Sequence, residues 1–63
     1  MTKYTAVLSY DKGKVTIKTI ARNWKQAVKQ ICMAENCPET AIKSLVRWHG
    51  NNEVIPIKLK WNN

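Results

Sequence analysis

Residues 23–38 read Asn23-Trp24-Lys25-Gln26-Ala27-Val28-Lys29-Gln30-Ile31-Cys32-Met33-Ala34-Glu35-Asn36-Cys37-Pro38. Asn23 has a short side-chain oxygen suited to the free N–H groups of a first helical turn, and Gln26 three residues later completes a capping-box-like pattern. Trp24, Ala27, Val28, Ile31 and Ala34 recur at helical spacing on one stripe, while Lys25, Gln26, Lys29, Gln30 and Met33 face away. Asn36 suits a left-handed C-cap, and Pro38 forbids continuation. The stretch therefore predicts one amphipathic helix with a single apolar stripe. Pro38-Glu39-Thr40-Ala41 adds an expected single turn.

Outward from the helix, both flanks alternate. Upstream, Tyr4, Ala6, Leu8 and Tyr10 oppose Thr5, Val7 and Ser9 within Lys3–Asp11, and Val15, Ile17, Thr19 and Ala21 oppose Lys14, Thr16, Lys18 and Ile20. Asp11-Lys12-Gly13 joins the two as a hairpin. Only an even loop, of two or four residues, places the aromatic and aliphatic set of one strand beside that of the other. Downstream, Ser44, Val46 and Trp48 alternate with Leu45, Arg47 and His49. After Gly50-Asn51-Asn52-Glu53, Ile55, Ile57, Leu59 and Trp61 alternate with Val54, Pro56, Lys58 and Lys60. Asn51-Asn52 is expected to supply the positive φ values of the turn. The same parity argument favours an even loop here, with Val46 and Trp48 beside Ile55 and Ile57 in the core. Pro56 assigns the last strand to an edge. The expected fold is α+β, a two-layer ββαββ arrangement in which one helix covers one face of a four-stranded antiparallel sheet. Trp24, Trp48 and Trp61 are expected to meet under that helix.

Sixty-three residues fit one domain, and a chain this short buries only about 60% of the surface it exposes when unfolded. Eleven Lys and Arg against four Asp and Glu give a net charge of +7, spread along the whole length. Such a field attracts polyanions, whether nucleic acid or an acidic protein surface. The first residues alternate rather than forming the apolar run of a signal peptide, and no stretch approaches the ~20 apolar residues of a membrane span. Two cysteines are too few for a secreted disulfide scaffold. A cytoplasmic protein without membrane contact is expected.

Chemistry finds little foothold. His49 is the single histidine, and Asp11, Glu35, Glu39 and Glu53 fall in turns or helix ends with no carboxylate pair spaced for acid–base work. Cys32, Cys37 and His49 are one ligand short of a structural zinc set. Gly13 and Gly50 are lone turn glycines, so no phosphate loop exists. No catalytic residue, metal or cofactor is assigned, and a non-enzymatic role is expected.

The hairpin, the helix and Asn36-Cys37-Pro38-Glu39-Thr40-Ala41-Ile42 leading into a strand resemble small uncharacterised proteins of phage and prophage genomes. Those are mostly of unknown activity, some inhibiting host machinery. The resemblance implies a fold and an origin, and carries no functional residue with it.

The sheet face away from the helix is the expected binding surface. On the parity above it carries Lys14, Lys18, Arg47, Lys58 and Lys60, with His49 nearby, interspersed with Val7, Ile20, Leu45, Val54 and Pro56. Nucleic acid is the expected partner, contacted at its phosphates. An acidic host protein inhibited by a phage-type binder is the alternative. With all five aromatics on the core side or helix stripe, base stacking is not expected. Nine of the eleven cations are Lys, which favours nonspecific attraction over base reading. A monomer is expected, with any weak dimer forming through the first strand, which has no charge between its ends.

Overall fold

The computed structural model describes residues 1–10 and 13–61. In chain order it contains β1 (Thr2–Ser9), β2 (Lys14–Ala21), α1 (Trp24–Glu35), a 3-10 turn (Glu39–Ala41), β3 (Ile42–His49) and β4 (Glu53–Pro56). The strands form one antiparallel sheet in the order β2-β1-β3-β4. The expected α+β ββαββ architecture is what the chain adopts.

The caps of α1 act as the sequence indicates. The Gln26 N–H donates to Asn23 Oδ1 at 2.9 Å, and Gln26 Oε1 accepts from the Arg22 N–H at 2.7 Å. Asn36 closes the helix in the left-handed region with φ 52°. Ala27, Val28 and Ile31 are buried on the predicted stripe, with Trp24 and Cys32 packed against the core, but Ala34 is exposed because the sheet does not reach the last turn. Gln30 ties the helix to β2, its Nε2 donating to Thr19 Oγ1 at 2.9 Å and to the Ile20 carbonyl at 3.1 Å.

The first hairpin has the expected even loop: Ser9 pairs with Lys14, leaving four residues between them. Tyr4, Ala6 and Leu8 are buried under the helix, and Ile17 and Ala21 join them from β2. Tyr10 does not follow. It sits in the turn, exposed, because the strand ends one residue earlier. Asp11 and Lys12 lie outside the described residues.

The second hairpin corrects the sequence reading. His49 pairs with Glu53, so the loop Gly50-Asn51-Asn52 is odd. Gly50, at φ 71°, supplies the left-handed residue in place of the asparagines. Trp48 and Val46 therefore pair with Val54 and Pro56, away from the helix, while Arg47 pairs with Ile55 on the helix side. A bulge makes this consistent. Leu8 pairs with Ile42 and Val7 with Ser44, leaving Lys43 as an extra residue. Ile42 and Leu45, three apart, thus both reach the core, and both are fully buried.

Beyond Pro56 the chain still follows β3, the Ile57 N–H donating to the Leu45 carbonyl at 2.8 Å. Leu59 is buried, and Trp61 Nε1 donates to the Ile42 carbonyl at 2.8 Å beside the bulge. This tail closes the core that the helix alone leaves open.

Candidate nucleic-acid interface

The face away from α1 is built from one parity of each strand. Across its middle runs the row Lys18, Thr5, Val46 and Pro56. Thr16, Val7 and Ser44 form the row on one side, with Lys14 opposite Ser9 beyond it. On the other side lie Ile20 opposite Lys3 and Trp48 opposite Val54.

Trp48 organises this surface. Its Nε1–H donates to Thr5 Oγ1 at 2.8 Å, so the indole from β3 reaches over β1. Lys3 Nζ stands 5.2 Å from the ring centroid, a cation–π contact. Thr5 is opposite Lys18, so an ammonium, an anchored indole and a second ammonium adjoin one another. Trp48 is half-buried, held along its N–H edge by Thr5 and with Lys3 over its ring.

Of the six residues expected here, Lys14 and Lys18 share the face, and Arg47, His49 and Lys60 do not. Arg47 and His49 are exposed on the opposite parity of β3, a direct consequence of the odd loop. Lys58 and Lys60 follow the end of β4 at Pro56, and Lys60 lines a cleft with Trp24 and Trp61 on the helix side. Leu45, expected outside, is core. Lys3 and Trp48 are the members that the sequence reading missed. The three-residue spacing of Ile42 and Leu45 and the φ-permissive Gly50 are the signals that point to them.

Among the described residues the face is uniform in sign. Glu35 ends α1, Glu39 opens the 3-10 turn, and Glu53 pairs with His49 on the other parity. Every acidic side chain among the described residues is therefore off the face that holds Lys3, Lys14 and Lys18. Exposed Ile20 and Val54 lie among these lysines.

Elsewhere the chemistry is sparse. Both cysteines are free thiols. Burial, reinforced by the neighbouring Cys37, pushes the Cys32 thiol up from 9.0 to about 11, which keeps it protonated and unreactive near neutrality. Among the described residues no three His, Cys, Asp or Glu side chains stand together as a metal site, and no helix is long and apolar enough to cross a membrane. Comparison with protein-family models, curated proteins and solved structures gave no match.

Proposed function

We propose that this protein is a non-enzymatic nucleic-acid-binding module that contacts single strands through the open sheet face. The observation that carries the reading is the outward Trp48, held by Thr5 and near Lys3 and Lys18 on a surface with no carboxylate among the described residues. An indole on a sheet is a stacking platform for any base, and base–aromatic stacking contributes about 1–3 kcal/mol per base. Lys3, Lys14 and Lys18 supply the phosphate contacts, and their point charges suit recognition of a backbone over a sequence. The outward indole supplies a base-stacking surface, which the expectation of five inward or helix-stripe aromatics left out.

The test compares single-stranded and duplex oligonucleotides, DNA and RNA, at two salt concentrations. Single strands should bind more tightly, with an affinity that falls as salt rises. Trp48→Leu should weaken single-strand binding more than duplex binding. Salt-insensitive binding, or none at micromolar protein, overturns the proposal.

A second reading is favoured by Ile20 and Val54, exposed at opposite edges of the face, opposite Lys3 and Trp48 respectively. Aliphatics on a charged face suit docking to an acidic protein, as for a phage-type inhibitor of host machinery. Such a partner would be captured in fixed stoichiometry and would survive nuclease treatment and moderate salt.

A further inference from the structure

The side opposite the open face carries a separate cleft of about 330 Å³, where the start of α1 meets the tail that follows β4. Trp24 and Trp61 form its apolar walls with Val28. Both indoles are half-buried against the core, and the hydrogen bond from Trp61 Nε1 to the Ile42 carbonyl fixes one of them. Each therefore has a held side and an accessible side. Lys25 and Lys29, one helical turn apart, and Lys60 from the tail bring three ammonium groups to the lining. Lys25 Nζ lies 5.9 Å from the Trp24 ring centroid. Among the described residues, Glu39 is the one carboxylate in the lining.

We infer that this cleft binds one nucleotide unit, its base against the indoles and its phosphate against Lys29 and Lys60. The volume sits at the small end of ligand sites, which suits one ring system with its sugar and phosphate. A docked helix would need a longer apolar groove with anchors over two turns. Indole surfaces accept any base face, and lysine is an effective phosphate partner. Glu39 adds a selection: a carboxylate accepts from the amino group of cytosine and has nothing to accept from at the corresponding oxygen of uracil. A free nucleoside monophosphate and the phosphorylated end of a strand present the same chemistry. The site shares no residue with the open face, so it stands whether or not that face binds strands.

The three indole N–H signals of the protein, assigned by single Trp→Phe variants, provide the readout. The probes are CMP, UMP, cytidine, inorganic phosphate, and one short oligonucleotide with and without a 5′-phosphate. The Trp24 and Trp61 signals should move on adding CMP at millimolar concentration or below, while the Trp48 signal stays. Lys29→Gln combined with Lys60→Gln should weaken this at least tenfold. Both side chains are exposed, so an otherwise unchanged spectrum verifies that the fold is retained. UMP should bind several-fold more weakly than CMP, with Glu39→Gln narrowing the gap. Movement with CMP assigns the site to free nucleotides, and movement only with the 5′-phosphorylated oligonucleotide assigns it to strand ends. The inference is overturned if phosphate or cytidine alone matches CMP, if the double variant binds unchanged, or if neither signal moves with any probe. A response at Trp48 alone would support the open face and refute this cleft.

Discussion

Leu45 and Trp48 lie three residues apart on β3 and face opposite layers, and the consequences can be measured. Leu45 is fully buried between Ala6 and the helix side of the core. Truncating it to Ala removes transfer free energy and leaves a cavity, at a cost of about 2–5 kcal/mol. Trp48 is half-buried, and Trp48→Ala forfeits one hydrogen bond and part of its contact area, about 1–2 kcal/mol. Denaturant titration should rank the two variants in that order, and the reverse ranking would mean that the parity of β3 is inverted. Cys32 offers a second residue-level test. Its protonated form is favoured in the fold, so its contribution is fully present below the ordinary 9.0 and is lost as pH climbs to about 11. Alkylation followed by mass spectrometry should find Cys32 slow near neutral pH and increasingly fast only on approach to that range. Rapid modification at neutral pH would contradict the burial assigned to it.

The elements differ in how plainly their residues announce them. Helix α1 is legible almost to the residue, because the caps are chemical signals that do not depend on tertiary context: Asn23 accepts from Gln26, and Asn36 takes the left-handed turn. Asn23→Ala should therefore lower stability by about 1 kcal/mol with no change in helix content, seen in the denaturation midpoint and far-ultraviolet dichroism. The first hairpin is legible for another reason. Its two strands each have one apolar parity, so only one loop parity satisfies both. β3 lacks that property. Ile42 and Leu45 belong to opposite parities of a regular strand, and the bulge at Lys43 that reconciles them follows from the fit to β1, a contact distant in sequence. With the bulge unseen, Val46 and Trp48 are the larger apolar set, and an even loop follows from them. One error at the turn then moves Arg47 and His49 off the open face and brings Trp48 onto it. Lys14 and Lys18 lie on the open face as expected because the first hairpin has the expected parity.

Over the whole molecule, strand order decides which edges are available. β1 is central, paired on both sides, so the dimer expected through the first strand is excluded by the topology. The edges are β4, which carries Pro56, and β2, where Lys14 and Lys18 would meet like charges in an antiparallel copy and Gln30 already occupies the Ile20 carbonyl. Sedimentation should find a monomer across a wide range of concentration, and a tight dimer would show that a face, not an edge, associates. The net charge of +7 acts at the same scale. If Lys18 neutralises one phosphate of a bound single strand, Lys18→Gln should reduce the slope of log affinity against log salt by about 0.7. The same substitution at Arg47, on the other parity, should leave the slope unchanged.

The most direct test of the open-face proposal is the footprint of a bound strand on the protein. Amide and indole signals should be followed as a short single-stranded oligonucleotide lacking a 5′-phosphate is added at low salt. The account predicts that the Trp48 indole, Lys3, Thr5, Lys18 and Val46 move together, while Arg47, His49 and the exposed side of α1 do not. A footprint centred on Arg47 and His49, or on α1 with the open face silent, would contradict it.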